Sequence, residues 1–67
     1  MKFIQFQGDI FNAAHIEAVV LSYEDETTDV NVNIYTSRQE EPFFYEFGSV
    51  QEARQHIANL AMWLTKP

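Results

Sequence analysis

The sequence contains no cysteine, only two glycines and two prolines, and only four Lys and Arg residues among 67. Without cysteine the chain forms neither disulfides nor thiolate metal sites, and nothing marks a redox compartment. His15 and His56 are the only candidate nitrogen ligands for a metal. Gly8 and Gly48 lie far apart, so the sequence contains no glycine-rich phosphate or dinucleotide loop. A chain this short without disulfides needs other support, and we expect oligomerisation to supply it.

Long apolar runs are also missing. No run approaches the roughly 20 residues that a transmembrane helix needs. The N-terminal stretch MKFIQFQ lacks the unbroken apolar segment and the small-residue cleavage site of a secretory signal. The sequence therefore predicts a cytoplasmic protein without a membrane partner. Its length predicts a single compact domain over residues 1–67.

Acidic residues dominate what is present. Ten Asp and Glu residues give a net charge of −6, which repels phosphate backbones and anionic lipids and favours a basic protein surface as partner. An apolar fraction of 46%, with 15% aromatic residues, indicates a folded core rather than a disordered acidic tail. Seven carboxylates fall where the sequence predicts turns, at the ends of a small sheet: Asp9, Glu24, Asp25, Glu26, Asp29, Glu40 and Glu41.

Alternation of apolar and polar residues predicts four strands, at residues 2–7, 16–23, 30–36 and 43–47. In the third, Val30, Val32 and Ile34 face the core, while Asn31, Asn33 and Tyr35 face away. Between the first two strands, the pattern indicates a turn at Gly8-Asp9 and a short strand or bulge at Ile10-Phe11.

A helix is predicted after the last strand. Ser49 and Glu52 match a capping box, in which Ser49 accepts from the third helical amide and Glu52 reaches back to the N–H of the cap residue. An apolar stripe follows as far as Thr65, formed by Val50, Ala53, Ile57, Leu60, Ala61 and Leu64. The predicted fold class is α+β, a four-stranded antiparallel sheet with one C-terminal helix packed on one face (ββββα).

One helix covers only one face of such a sheet, so the other face is expected to be open. It would present Phe3, Tyr35 and Phe44, with Val19, Leu21 and Tyr23 as further candidates, among Gln5, Gln7, Asn31, Asn33 and Glu46. Aromatic residues interleaved with amides suit recognition or self-association. The alternative is that Phe3 and Phe44 pack against loops or a twisted sheet edge.

Motifs of catalysis are absent, since the sequence contains no nucleophile elbow, phosphate loop or paired metal ligands. His56 follows Glu52 by one helical turn, a spacing that serves a metal or an acid–base pair, but also an ordinary surface pair. His15 is expected to buttress the bulge, and Asn12 to turn the backbone. We therefore predict no enzyme and no catalytic, cofactor or metal site.

The element order of four strands and a helix resembles that of the Pur-type and Whirly-type single-stranded nucleic-acid binders, whose sheets carry stacking aromatics. This resemblance implies nucleic-acid binding on the open face. Such binding needs Lys or Arg beside the aromatics, whereas the predicted face carries Glu46 and amides. Charge therefore argues against direct nucleic-acid binding.

In size, acidity, single-domain organisation and lack of catalytic motifs, the chain resembles the small phage-encoded inhibitors of bacterial defence, anti-CRISPR proteins among them. The acidic turns would form two anionic poles about 17–20 Å apart, a strand length, with the Glu24 to Asp29 loop at one end and Asp9, Glu40 and Glu41 at the other. Carboxylates so placed stand where phosphates would bind, which predicts occlusion of a basic nucleic-acid-binding surface. The alternative is a symmetric homodimer that buries the open face. The predicted contact residues are Glu24, Asp25, Glu26, Asp29, Glu40 and Glu41, with Tyr35 and Phe44 as aromatic anchors.

Overall fold

The computed structural model describes residues 2 to 66, so Met1 and Pro67, the ends of the predicted domain, lie outside the described residues. Over this range the chain forms five strands, a 3-10 turn at Ala13–His15 and one α-helix. The strands are β1 (Phe3–Phe6), β2 (Asp9–Asn12), β3 (Ile16–Ser22), β4 (Asn31–Thr36) and β5 (Phe43–Glu46), and the helix α1 spans Val50–Thr65. The α+β class with one C-terminal helix is confirmed.

The strands form two antiparallel sheets rather than the predicted single four-stranded sheet. One is the hairpin of β1 and β2, and the other is three-stranded, with β4 between β3 and β5. The hairpin arises because Gln7 and Gly8 both adopt positive φ, 51° and 87°, and close a two-residue turn that pairs Phe6 with Asp9. The predicted turn at Gly8-Asp9 is therefore displaced by one residue, and Asp9 is a strand residue.

The core lies between the three-stranded sheet on one side and the hairpin with α1 on the other. Val32 and Ile34 of β4 are fully buried at its centre. Phe6 and Phe11 of the hairpin meet β5 edge to face, with ring centroids 5.0 Å from Tyr45 and 4.9 Å from Phe43, respectively. The sheet face that the helix was predicted to cover alone is thus covered by hairpin and helix together.

A bulge between Ile16 and Ala18 sets the register of β3. It turns Val19 and Leu21 toward the core, so the suggestion that they join the open face is wrong. Phe3 is exposed as predicted, but it lies in the hairpin and not in the three-stranded sheet.

Side chains form hydrogen bonds with backbone groups at both ends of α1. At its start, Ser49 Oγ accepts from the Glu52 amide at 3.1 Å, as predicted, whereas the Glu52 carboxylate accepts from the Gly48 amide instead of Ser49. At its end, the Lys2 ammonium donates to the carbonyls of Trp63 and Lys66, where a cation stabilises the helix dipole.

The apolar stripe of α1 is largely as predicted, with Val50, Ala53 and Leu60 buried. Ile57 and Leu64 pack against the core, but Ala61 is exposed. None of the helical structure within residues 2 to 66 is long and apolar enough to cross a bilayer.

Candidate binding face

The side of the three-stranded sheet opposite the core is uncovered, and we call it the open face. It is formed by alternate residues of the three strands: Ala18, Val20 and Ser22 of β3, Asn31, Asn33 and Tyr35 of β4, and Phe44 and Glu46 of β5. Val20, Asn33 and Phe44 lie side by side across it. The exposed fractions are 57% for Phe44, 43% for Val20 and 39% for Tyr35. The open face therefore has an apolar centre in contact with solvent.

Two amides on β4 form a hydrogen-bonded chain on the open face. Asn33 Nδ2 donates to Asn31 Oδ1 at 2.8 Å, and Asn31 Nδ2 donates to the Asp29 carbonyl at 3.1 Å. The second bond holds the backbone just before β4, where Asp29 adopts a positive φ of 54°. The chain thus fixes the point at which the preceding loop enters the sheet.

A cleft opens at this end of the open face. It has a volume of about 270 Å³ and includes Asp29, Phe44, Glu46 and Phe47 in its lining. Glu46 comes close to Asp29 because the sheet register pairs Glu46 with Asn31. Among residues 2 to 66, no Lys or Arg lines this acidic cleft. Two carboxylates beside aromatic rings suit an Arg or Lys side chain, because Arg pairs with carboxylates and stacks on aromatic faces.

The loop from Glu24 to Asp29, the acidic loop, is exposed but held by hydrogen bonds. The Glu24 amide donates to the Thr28 carbonyl at 3.0 Å, and Asp25 Oδ1 accepts from the Thr27 amide at 3.0 Å. The Thr27 amide, followed by the Thr28 hydroxyl, lowers the pKa of Asp25. The Glu26 carbonyl accepts from the amide of Val50 at 2.8 Å, which ties the loop to the start of α1.

The structure groups some of the predicted contact residues and separates others. Glu24, Asp25, Glu26 and Asp29 share the acidic loop, which leads into the acidic cleft through Asp29 and so reaches Phe44. Tyr35 lies on the open face toward the far end of β4.

The remaining acidic residues of the predicted poles lie in two separate parts of the structure. Glu40 and Glu41 are exposed in the loop between β4 and β5, at the opposite end of the sheet from the acidic loop. Asp9 belongs to the hairpin, and its carboxylate accepts from the Tyr45 hydroxyl at 2.6 Å. It was therefore misplaced in the sequence-based pole with Glu40 and Glu41.

Sequence reasoning did not select Glu46 or Val20 as contact residues. The alternation in β5 already set Glu46 beside Phe44, so that signal was present in the sequence. Val20 was missed because the bulge near Glu17 shifts the alternation of β3 by one residue.

Positive charge lies away from the open face. The segments IEAVVLS, NVNIYT and FFYE that form its strands contain Glu17 and Glu46 but neither Lys nor Arg. Lys2 is engaged at the C-terminal end of α1, and the Lys66 ammonium lies 4.3 Å from the centre of the Trp63 ring. The electrostatic character of the open face is therefore acidic.

The predicted pairing of Glu52 with His56 is replaced by other contacts. Glu52 binds the Gly48 amide, while the His56 ring lies 5.1 Å from that of Phe47 and its Nδ1 lies 3.3 Å from Gln7 Nε2. Within residues 2 to 66, no group of three or more His, Cys, Asp or Glu side chains is placed to hold a metal ion.

One tyrosine hydroxyl outside the open face is perturbed. Partial burial, together with the hydrogen bond to Asp9 and its negative charge, raises the pKa of Tyr45 well above its usual range. This bond connects β5 to the hairpin, so it helps to hold the hairpin over the core.

Comparison of the chain with known protein families, with curated proteins and with solved structures finds no match.

Proposed function

We propose that this protein is a non-enzymatic binding module that occupies a basic, nucleic-acid-binding surface of a partner protein through its open face and acidic loop. Such a protein acts as an inhibitor by occlusion. Its mode of action would be that of phage-encoded inhibitors of bacterial defence, of which the anti-CRISPR proteins are one kind.

The acidic cleft is the observation that carries this proposal. Asp29 and Glu46 stand on one side of Phe44, and the cleft volume of about 270 Å³ accommodates a long cationic side chain. An Arg from the partner would pair with the carboxylates and lay its planar guanidinium against the aromatic ring. The rest of the open face then contributes Val20 and Tyr35 to a central apolar contact, the arrangement found in protein interfaces.

The charge distribution supports a basic partner over nucleic acid. Direct binding of a strand requires cations along the phosphates, and the open face carries Glu46 and amides instead. With a net charge of −6, the protein is attracted to a basic groove at long range and associates with it faster at low salt. Glu40 and Glu41, at the other end of the sheet, would make the second contact with the same groove.

The test compares two exposed glutamates on the strands. We expect Glu46→Gln to weaken partner binding about tenfold or more, because it removes a charged partner of the cation. Glu17→Gln removes the same charge at the bulge of β3, outside the acidic cleft, and serves as the matched control. Asp29→Asn is the second variant, since Asn tolerates the positive φ at that position.

Each protein is immobilised and exposed to lysate of the cells from which it comes, at low and moderate salt. Retained proteins are quantified by mass spectrometry, and the dissociation constant is then measured with the purified partner, with and without competing DNA or RNA. If the wild type and Glu46→Gln retain the partner equally, the occlusion proposal is contradicted. It is also contradicted if the partner binds nucleic acid and this protein at the same time.

A symmetric homodimer is the second candidate function, favoured by the exposure of Phe44, Val20 and Tyr35 at the centre of the open face. It predicts that Phe44→Ser converts a dimer into a monomer in size exclusion with light scattering, while Glu46→Gln leaves the mass unchanged. A monomeric wild type over a wide concentration range rules it out. Repulsion between two copies of net charge −6 makes the dimer weaker at low salt, the opposite of the trend expected for a basic partner.

A further inference from the structure

A second cavity lies at the seam between the hairpin and the end of β4, away from the open face. Its volume is about 140 Å³, and its lining includes His15, Thr36, Arg38 and Phe43. Within the part of the chain that the structure describes, no Asp or Glu lines it, and it shares no residue with the acidic cleft. We call it the seam cavity. One of the four Lys and Arg residues of the protein, Arg38, lines it together with the imidazole of His15 and the buried Thr36.

Hydrogen bonds orient the guanidinium of Arg38. Its Nε–H donates to His15 Nε2 at 3.4 Å, which requires that nitrogen to be unprotonated. The neutral ring then carries its proton on Nδ1 and donates it to Ser37 Oγ at 3.2 Å. Because Nε–H is engaged, the fork of the two Nη groups is the part of the guanidinium available to an anion.

Thr36 supplies a polar group without a partner. The residue is 6% exposed, and its Oγ1 has no hydrogen-bond partner among the described residues. Buried hydroxyls in folded proteins are nearly always bonded, but this oxygen is itself closed to solvent, so a molecule in the seam cavity does not reach it. Thr36 therefore forms part of the cavity wall without offering a hydrogen bond.

The remaining wall of the seam cavity is apolar. Phe11 and Phe43 meet edge to face, with centroids 4.9 Å apart, and Ile10 is 72% exposed at the rim. An inorganic anion leaves this wall in contact with water, whereas a ligand with an apolar part covers it.

We propose that the seam cavity binds a small monocarboxylate that bears an apolar group. Both carboxylate oxygens accept from the Nη fork of Arg38, and the apolar group packs against Phe43 and Ile10. The cavity is smaller than the roughly 300–1,000 Å³ of sites for drug-sized ligands, so the ligand is the size of one ring or a short aliphatic acid. The site is independent of the proposed protein-binding function.

The test is a titration of the full-length, isotope-labelled protein followed by amide chemical shifts, with benzoate as the probe. We expect saturable shifts confined to residues around Thr36, Arg38 and Phe43. Arg38→Gln should weaken benzoate binding at least about tenfold, because it removes a charge-assisted hydrogen bond. Arg54→Gln removes the same charge from α1 and should leave the affinity unchanged. Thr36→Val, which keeps the side-chain shape and removes only the enclosed hydroxyl, should also leave the affinity unchanged.

Two further probes separate the roles of charge and apolar contact. Benzyl alcohol has the ring without the carboxylate, and inorganic phosphate has charge without the ring, so both should bind much more weakly than benzoate at the same residues. Absence of localised shifts with benzoate overturns the proposal. So does equal binding of benzyl alcohol or phosphate, or an affinity for benzoate that Arg38→Gln leaves unchanged.

Discussion

The two faces of the three-stranded sheet are built by the same strands and have opposite surroundings. On the core face, Val32 and Ile34 are fully buried beneath the hairpin and α1. On the open face, their neighbours in sequence, Asn33 and Tyr35, meet solvent along with Phe44. Period-two alternation separates the two sets, so each face can be changed without altering the other.

The two faces differ in which apolar residues are buried when the protein folds. The core face obtains its cover from Phe6 and Phe11 of the hairpin together with α1, and nothing else among the described residues shields Phe44 on the opposite side. An exposed aromatic centre beside carboxylates therefore has no role in the core. This separation is why we assign the open face to binding.

The largest expected effect comes from a core-face substitution. Ile34→Ala removes a fully buried side chain at the centre of β4 and should cost about 2–5 kcal/mol of unfolding free energy. A domain of this size rarely has more than about 3–5 kcal/mol, so we expect the variant to be largely unfolded in circular dichroism and urea titration.

Phe44→Ser is the counterpart on the open face. Because Phe44 is more than half exposed, its replacement should change the unfolding free energy by roughly 0.5 kcal/mol or less while it reduces binding of a partner or a second copy. Equal destabilisation by Ile34→Ala and Phe44→Ser would show that the open face is covered in solution.

Much of the fold was predictable because β4, β5 and α1 carry their own local signals. Alternation in β4 and β5 placed the buried and exposed sides correctly, and the Ser49 cap marked where α1 begins. These features depend on neighbours within a few residues, which a single sequence displays.

The hairpin was not predictable in the same way. Its turn places Gln7 at positive φ without the Asn-Gly or Asp-Gly signal of such turns, and β2 directs the apolar Ile10 outward. The alternation around β2 consequently indicated either a short strand or a bulge, and the structure has the short strand. The position of the hairpin depends on packing against segments that are distant in the sequence, and local residue patterns do not predict such packing.

The candidate site was predictable in part for a related reason. The acidic loop and Phe44 were visible in the sequence, but their meeting at the acidic cleft depends on the pairing of Asn31 with Glu46. The seam cavity depends on contact between the hairpin and the end of β4. The sequence alone did not indicate that Thr36 and Arg38 line a common cavity.

The second largest effect should be a stabilisation on the core face. Thr36→Val removes a buried hydroxyl that has no partner among the described residues, and we expect unfolding free energy to rise by about 1–3 kcal/mol. Urea unfolding of Thr36→Val and of Ser22→Ala, which removes an exposed hydroxyl on the open face, measures the difference. An unchanged or lower stability for Thr36→Val would mean that the hydroxyl has a hydrogen-bond partner in solution.

A smaller effect is expected where β5 meets the hairpin. Tyr45→Phe removes the hydrogen bond to Asp9 and should cost about 0.5–1.5 kcal/mol at neutral pH. Folding raises the pKa of Tyr45, so the contribution is complete below the unfolded value near 10 and disappears as pH rises through the folded value.

Absorbance titration of tyrosinate, combined with urea unfolding at several alkaline pH values, measures this contribution. The wild type should show a late-ionising component that Tyr45→Phe lacks. The stability difference between the two proteins should shrink as that component ionises, and a difference that grows with pH would contradict the assignment.

On the core side of the sheet, the smallest effect concerns the contact between the hairpin and α1, the two units that cover the core face. Lys2 precedes β1, and its ammonium reaches the last carbonyls of α1, so the hairpin and the helix are joined where the helix dipole is negative. Lys2→Met keeps most of the side chain and removes the charge, and we expect a loss of about 0.3–1 kcal/mol that diminishes as salt is added. Arg54→Met makes the same change of charge within α1 and should cost less, because Arg54 is not at the C-terminal end. If both variants lose equal stability with the same salt dependence, the effect is one of net charge, and the hairpin is held to the helix by apolar packing alone.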